Sequence, residues 1–518
     1  MAEERPAAGA PRDAGRLVEA AAAAAVAGTA LLFALLYLFA MAGASLWTDE
    51  LYGIVHFSAR GPWTAWTDYH VPNNHILFSL LNALLPGRGS VDPLRARLLS
   101  LVAVAALLAL VLVFFWRRGR WLAGALAFQL LATNERLLDQ TLQARGYGLQ
   151  LLFAGGAAVA LRAYLESGRR IALVAFAALV VLGTFAVPPF LVFGGGLFLL
   201  LFLVRRRREV VVFGLLVLAG AFAVHLPVLG SLFRQLTTYR TVGSGALEFA
   251  SPAAVLESIR LYLLPELFSS PRTAGGAALV LVALVAGLLV AGGASEAETS
   301  WRRVLLGAVL LFFGACLLLR SPLVRTTVFV AAPLALFSGA LVEDLLRRIG
   351  NRGARTAAVA LLAVALALSN GIAVSRFEFV PIERWDMTAA FLRRAIPPGT
   401  PLWVTFRPEL LAPYLPPTTP FAPRFDAELF ASGGLAVVDT DVDPPVRFDG
   451  RRYAADAKEW RTPLARRGVQ SVWFVPRHRV TKASMAAERR ASPVPEMTVK
   501  RRPSPKRPAR SRSKKSSR

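Results

Sequence analysis

The stretch Val18–Met41 reads VEAAAAAAVAGTALLFALLYLFAM, and shortly after it the chain reaches the acidic pair Asp49-Glu50. A bilayer core takes about 20 consecutive apolar residues of helix, and this run is long enough to cross one. It also exceeds the roughly 7 to 15 apolar residues of a signal-peptide core. We therefore interpret it as an uncleaved first span and expect the acidic pair to lie where the chain leaves the membrane.

The composition extends this interpretation to the whole chain. Apolar residues make up 55% of the 518 residues, and the mean hydropathy is +0.50. A soluble domain of this composition would expose large apolar patches and aggregate. Similar runs recur at Ala96–Phe115, Val210–Leu229, Ala277–Val290, Val304–Leu319 and Thr356–Leu368. The sequence therefore predicts a polytopic α-helical membrane protein.

The formal net charge of +26 has two sources that do not require a nucleic acid. Many arginines lie in short clusters between apolar runs, and others lie in the tail Lys500–Arg518. Clusters between spans are typical of cytoplasmic loops, which carry an excess of Lys and Arg. We therefore expect no nucleic-acid partner.

The basic clusters also predict the orientation. They follow alternate spans, at Arg117–Arg120, Gly168–Arg170, Arg205–Arg208, Trp301–Arg303 and Arg347–Arg355. The positive-inside rule places these loops, and the N-terminus, in the cytoplasm. Pro188-Pro189 interrupts one long apolar stretch, and we divide that stretch into two helices because proline breaks a helix interior. The result is about 11 spans with the C-terminus outside.

Four segments follow from these boundaries. Residues 1–17 are a cytoplasmic N-terminus, and residues 18–375 form the membrane domain, whose first outer loop covers 44–93. Residues 376–490 are expected to form a small extracytoplasmic α/β domain, because a helical pattern at Trp385–Ala395 precedes strand-like runs at Pro401–Phe406 and Ser471–Val475. Residues 491–518 have the composition of a basic disordered tail.

Polar residues that could carry chemistry concentrate in the first outer loop. Asp49 and Glu50 lie at its start, and His70, Asn74 and His75 lie near its end, directly before another apolar stretch. Each residue alone is also compatible with a solvated loop near lipid headgroups. Together they indicate a polar pocket at the mouth of the first span.

Three arginines are expected at outer span ends, namely Arg145, Arg320 and Arg325. One interpretation is that each reaches out to a phospholipid headgroup. The other is that they bind the phosphate of a substrate, which suits the geometry of a guanidinium group.

These residues resemble the membrane-embedded GT-C glycosyltransferases, in particular the bacterial branch related to protein O-mannosyltransferases and lipid A aminoarabinose transferases. The matching pieces, in chain order, are Asp49-Glu50, His70–Leu77, Arg97–Ser100 as "R-L-x-S", Gln143–Leu149 as "E-A-R-x-Y-x-L", and Arg325 with Pro333. Gln143 stands where the family commonly has glutamate. Asn73-Asn74-His75 stands where aminoarabinose transferases carry Lys-Pro-Pro.

The resemblance implies a polyprenyl-phosphate-linked sugar as donor, an extracytoplasmic acceptor that is a protein, lipid or glycan, and a bacterial inner-membrane location. Direct attack by the acceptor would invert the anomeric centre, with Asp49 as general base. Glu50 would orient the acceptor or hold a metal. His70, Asn74, His75, Arg145, Tyr147, Arg320 and Arg325 would bind sugar or phosphate. A divalent cation stays open, although no compact ligand motif requires one.

Two alternative functions remain at this point. A transporter or flippase of lipid-linked or anionic substrates would place polar residues near the bilayer midplane, often within repeats. A non-catalytic envelope assembly protein would tolerate Asp49→Asn. The concentration of polar residues at the outer rim favours the enzyme.

Overall fold

The described part of the chain consists mostly of helices joined by short turns. The computed structural model describes residues 11–71, 73–241, 251–263, 295–318, 327–379, 385–395, 398–404 and 408–424, and the strand segments 436–439, 447–448, 451–452 and 472–474. The chain divides into two units, Met1–Phe379 and Val380–Arg518. Arg320 and Arg325, the span predicted at Ala277–Val290 and the tail from 491 lie outside the described residues.

The described residues of the first unit form helices. They are α1 Pro11–Gly43, α2 Thr48–Gly53, α3 Pro62–Thr67, α4 Ile76–Leu84, α5 Pro93–Trp116, α6 Trp121–Ala132, α7 Glu135–Thr141, α8 Tyr147–Ser167, α9 Arg170–Ala186, α10 Phe190–Arg205, α11 Arg208–His225, α12 Leu229–Thr241, α13 Pro252–Leu263, α14 Glu296–Leu318, α15 Ala331–Arg347 and α16 Arg352–Ser375. A π-helical turn, Ile54–Ser58, follows α2, and 3₁₀ turns lie at Leu226–Val228 and Val328–Val330.

Within the described residues, 7 helices are long and apolar enough to cross a membrane. They are 15–43, 93–116, 147–167, 208–235, 296–318, 328–347 and 352–375, and α6, α9 and α10 are shorter apolar helices. The helices 15–43, 93–116, 208–235, 296–318 and 352–375 overlap the apolar runs predicted as spans, and α9 and α10 overlap the stretch divided at Pro188-Pro189. The total of about 11 spans stays a prediction, because one of the spans lies outside the described residues.

The division at Pro188-Pro189 is confirmed. Helix α9 ends at Ala186 and α10 begins at Phe190. The two helices fold back on each other, since a Cβ atom on Gly194 would lie 2.3 Å from Cγ1 of Val180. A larger side chain at residue 194 would separate the helices, so this glycine permits the close hairpin.

Side-chain caps start several helices where the sequence supplies Asp or Asn. Oδ1 of Asp92 accepts from the backbone N–H of Arg95 at 3.0 Å, and Pro93 occupies the first position of α5. Asn134 caps α7 in the same way, through Leu137 at 3.0 Å. Such caps satisfy N–H groups that have no partner inside the helix.

A closed polar group joins three helices in the interior. Asn370 on α16 accepts from Gln129 on α6 at 2.6 Å, donates back to the same side chain at 2.7 Å, and donates to Thr29 on α1 at 2.9 Å. Hydrogen bonds between buried amides are a common means of fixing neighbouring membrane helices.

A network of ion pairs connects neighbouring helices at the end of the bundle opposite to Asp49. Arg120, between α5 and α6, contacts Glu298 on α14 and Asp344 on α15, and Arg302 bridges the same two carboxylates. Burial lowers the pKa of Arg120, but the attraction of the surrounding carboxylates outweighs burial and raises it overall. The basic clusters of the sequence therefore gather at one end of the bundle.

The described residues of the second unit form helix α17 Trp385–Ala395, the short helix α18 Pro408–Leu411 and five strands. Strands β1 Leu402–Val404, β2 Ala436–Asp439 and β5 Val472–Phe474 form a parallel sheet in the order β1-β2-β5. Strands β3 Arg447–Phe448 and β4 Arg451–Arg452 pair antiparallel. Strands β1 and β5 lie within the two runs predicted as strands.

Candidate active site

Glu50 lies where the first loop packs against the helix bundle. Its carboxylate accepts from the backbone N–H of Trp47 at 2.8 Å and from that of Ala144 at 2.6 Å. Arg97 donates to it twice, from Nε at 2.7 Å and from Nη2 at 2.6 Å. Glu50 is 0% exposed, so its charge is compensated entirely by groups inside the protein.

Arg97 also closes the end of α1. It donates to the carbonyl oxygens of Met41, of Ala44 at 2.8 Å and of Ser45 at 3.1 Å. The last carbonyl groups of a helix have no partner within it, and Arg97 supplies partners from α5. In the sequence, Arg97 stood out only as part of the Arg97–Ser100 motif. The signal for its role was an arginine in the first turn of an apolar span, where a charge needs a partner.

Arg145 forms the second centre of the site, and it gathers residues from the first loop. Its Nη1 donates to Oδ2 of Asp49 at 3.0 Å, its Nη2 to Oδ1 of Asn73 at 2.6 Å, and its Nε to Nε2 of His75 at 3.1 Å. The guanidinium carbon lies 5.0 Å from the ring centroid of Tyr147, within the range of a cation–π contact. Arg145 is only 6% exposed.

The turn that carries Arg145 is held close to its neighbours. Ser100 donates from Oγ to the carbonyl of Gln143 at 2.6 Å. A Cβ atom on Gly146 would lie 2.9 Å from the carbonyl oxygen of Ala186 and 3.0 Å from Cβ of His75. Only a glycine fits there without a shift of the surrounding backbone.

Asp49 differs from Glu50 in its exposure. Its side chain is 36% exposed, although Oδ2 is fixed by Arg145. Its backbone carbonyl accepts from the amide of Asn73 at 2.9 Å. The neighbouring carboxylates of the acidic pair therefore have separate environments, one sealed and one facing solvent.

The structure brings Asp49, His75, Arg145 and Tyr147 together, whereas it places His70 on a different group. Nδ1 of His70 lies 2.6 Å from Oδ1 of Asp68, and its Nε2 lies 2.7 Å from the hydroxyl oxygen of Tyr52. The His70 side chain is 43% exposed. The amide of Gln235 on α12 donates to the backbone carbonyl of His70.

Asn74 holds the loop together from inside. Its amide donates to the carbonyl oxygens of Ala65 at 2.9 Å and Asp68 at 2.7 Å. Asn73, and not the predicted Asn74, is the asparagine that contacts Arg145. The distinction between two adjacent asparagines depends on loop geometry.

The described residues do not fit a divalent cation at this site. Glu50 is engaged by Arg97 and Asp49 by Arg145. Within the described part of the chain, no three His, Cys, Asp or Glu side chains lie close enough together to hold a metal ion. No chemical step is therefore assigned to a metal.

No protein-family model and no curated protein sequence matches the chain. Solved structures do match it. One is the oligosaccharyltransferase of Archaeoglobus fulgidus in complex with Zn and sulfate, at 15% identity over 82% of this chain, with a TM-score of 0.47. The archaeal oligosaccharyltransferase AglB from Archaeoglobus fulgidus, in complex with an inhibitory peptide and a dolichol-phosphate, matches at 14% identity over 79% of this chain, with a TM-score of 0.44.

A bacterial structure matches as well. It is ArnT from Cupriavidus metallidurans bound to undecaprenyl phosphate, at 15% identity over 86% of this chain and 90% of that chain, with a TM-score of 0.38. AglB and ArnT are GT-C superfamily glycosyltransferases. At 14% to 15% identity, these matches are similarities of fold alone. The chain spans 60% to 62% of the length of the oligosaccharyltransferase structures that it matches here.

Proposed function

We propose that this chain is a membrane glycosyltransferase that moves a sugar from a polyprenyl-phosphate donor to an acceptor on a protein, lipid or glycan. The observation that carries the proposal is the pair formed by Asp49 and Arg145. A solvent-facing carboxylate is fixed at 3.0 Å on a buried guanidinium group at the mouth of a membrane helix bundle. A base and a phosphate-binding cation are what the transfer requires.

The proposed orientation places this site outside the cytoplasm of a bacterial cell, at the inner membrane. The basic clusters gather at the opposite ends of the helices, around Arg120 and Arg302. By the positive-inside rule that end faces the cytoplasm. The lipid tail of the donor would stay in the bilayer, and its phosphate would reach the outer interface beside Arg145. Polyprenyl phosphates are also the lipids in the ArnT and AglB complexes.

In the proposed step, the acceptor oxygen attacks C1 of the sugar while the bond between C1 and the phosphate oxygen breaks. The acceptor proton passes to Asp49, and attack from the face opposite the phosphate inverts C1. A polyprenyl phosphate leaves as an anion and needs electrostatic stabilisation. A guanidinium group has five N–H donors. The described partners of Arg145 account for three of them, so donors remain for phosphate oxygens.

The other predicted site residues receive narrower roles in this proposal. Glu50 positions Asp49 by anchoring helix α2 on Arg97 and does not touch substrate. His75 and Tyr147 border Arg145 and would contact the phosphate or sugar. Asn74 shapes the loop, and His70 lies at the exposed rim. Arg320 and Arg325 stay proposed phosphate ligands.

The test is transfer in purified membranes from a panel of radiolabelled polyprenyl-phosphate sugars. Asp49→Asn keeps the size of the side chain and removes the base, which is worth about 10²- to 10⁴-fold in rate. Glu135→Gln is the matched control, since Glu135 is an exposed carboxylate on α7, at the same end of the bundle. Full activity of Asp49→Asn would rule out the proposed base.

The same assay separates the alternative functions. A transporter would show no transfer from any donor but would move a labelled lipid-linked substrate across proteoliposomes. An assembly protein would show neither activity.

A further inference from the structure

Three buried polar side chains near the beginning of α8 have no hydrogen-bond partner among the described residues. They are the carboxamides of Gln143 and Gln150 and the hydroxyl of Thr327. Gln143 is 1% exposed, and the other two are 0% exposed. A buried polar group without a partner costs about 1–3 kcal/mol, and such groups are characteristic of a site that binds water or a ligand.

These side chains lie around the beginning of α8. Gln143 belongs to the turn that carries Arg145. Gln150 follows Tyr147 by three residues on the same helix, and residues three apart share a helix face. Thr327 directly precedes the 3₁₀ turn Val328–Val330, which packs against α8. Gln150 therefore lies about one helical turn further along α8 than Tyr147.

Burial alone does not leave amides unpaired in this fold. Gln129 is equally buried at 2% exposure, and it exchanges two hydrogen bonds with Asn370. The interior of this bundle thus pairs its buried amides where no ligand is needed. The unpaired amides occur beside the candidate active site.

We propose that Gln143, Gln150 and Thr327 line a neutral hydroxyl-binding pocket beneath Arg145. Each carboxamide presents N–H donors and an oxygen acceptor, and the hydroxyl does both. None of the three carries a charge. The ligand must therefore donate and accept at once, which a hydroxyl oxygen does and an anion does not.

Two different ligands could supply this hydroxyl group. One is water held in the resting protein. The other is a hydroxyl of the donor's sugar, and this second source rests on the proposed glycosyltransferase function. The experiment has one arm for each source.

The first arm measures the thermal unfolding of the purified full-length protein in detergent, without donor. Gln150→Leu has a similar size but no polar atoms, and Thr327→Val keeps the shape and removes the hydroxyl. If a water is bound, both variants lower Tm, because the water and its remaining partners lose hydrogen bonds. If the amide is simply buried unpaired, Gln150→Leu raises Tm.

The second arm measures kcat/KM with the parent donor and with donors lacking one sugar hydroxyl each. If the pocket binds a sugar hydroxyl, Gln150→Leu lowers kcat/KM about 10-fold or more on the parent donor and by less than about 2-fold on one deoxy donor. An equal loss on every donor indicates no sugar contact.

Thr184→Val is the matched control for Thr327→Val. Thr184 is also buried, but its hydroxyl donates to the carbonyl of Val180 in its own helix at 2.9 Å. It should change neither Tm by a comparable amount nor the choice of donor. If Gln150→Leu does not fold, both the Tm and the kcat/KM measurements are made on Thr327→Val.

A lower Tm or a donor-selective loss supports the pocket. The absence of both overturns it. Wild-type protein that transfers from no donor would contradict the proposed function but leave the first arm intact.

Discussion

Arg97 and Glu50 form a two-point ion pair that excludes solvent, with donor–acceptor distances of 2.7 and 2.6 Å and side-chain exposures of 2% and 0%. The pair joins the end of α1, the start of α5 and the turn before α8. Asp49, one residue away, is held on a different arginine and stays 36% exposed. The acidic pair therefore combines a structural anchor with the proposed base.

Arg97→Lys is expected to destabilise the protein severely. A lysine presents one point charge and cannot reach both carboxylate oxygens and the carbonyls at the end of α1. Breaking a buried ion pair costs about 3–5 kcal/mol, which thermal unfolding in detergent would detect. Arg95→Lys is the control, because Arg95 lies on the same helix turn and is exposed. Equal stability of the two variants would contradict a structural role for Arg97.

Arg145→Lys is expected to lower kcat/KM by roughly 10²-fold, the order of effect of misplacing reacting groups by about 1 Å. The lysine keeps the charge but cannot hold Asp49, Asn73 and His75 at once. Transfer kinetics with the active donor measure the loss, and Arg136→Lys on the exposed face of α7 serves as control. Wild-type kinetics in Arg145→Lys would show that the charge alone is sufficient.

Gly146→Ala is expected to disturb the site through sterics. The added methyl group would approach Ala186 and His75 to about 3 Å, and a well-packed interior accommodates such a group at a cost of about 1–3 kcal/mol. Gly195→Ala adds the same methyl group to α10, where nothing lies within 4 Å. Only the first variant should lose stability and activity. If both variants changed stability and activity alike, close packing at Gly146 would not explain the effect.

The orientation is tested by reporters fused to truncated chains. A reporter after Ser375 should be extracytoplasmic, and one after Gly168 should be cytoplasmic, because Gly168 belongs to a basic cluster. Cysteine labelling with a membrane-impermeant reagent provides a second measurement. A cytoplasmic signal after Ser375 would contradict the span arrangement and place the second unit on the other side.

Local rules were sufficient to predict much of the fold. Hydropathy located the described membrane helices, and the prolines at 188 and 189 divided α9 from α10, since both depend on neighbouring residues only. The strands at Leu402–Val404 and Val472–Phe474 were visible for the same reason. Capping by Asp92 and Asn134 follows from residue type and position.

The site was harder to predict because its contacts join residues far apart in the chain. Arg97 lies 47 residues from Glu50, and no local pattern distinguishes this pair from Asp49 with Arg145. His70 and His75 look alike in sequence, yet only His75 contacts Arg145. The unpaired amides of Gln143 and Gln150 depend on what packs around them, and sequence alone does not define that.

Glu50 contacts residues that are far from it in the sequence, and this has a consequence for the synthesis of the protein. Its partners begin at Trp47, three residues before it, and extend to Arg97 and Ala144, which are made 47 and 94 residues later. A ribosome that delivers the chain from the N-terminus therefore releases the acidic pair long before the groups that neutralise it. Until those groups arrive, the nascent first loop carries two uncompensated carboxylates, which favour its staying in water beside the membrane. Because a charge in the bilayer core is costly, we expect the carboxylate that anchors the finished site also to keep the unfinished loop out of the membrane.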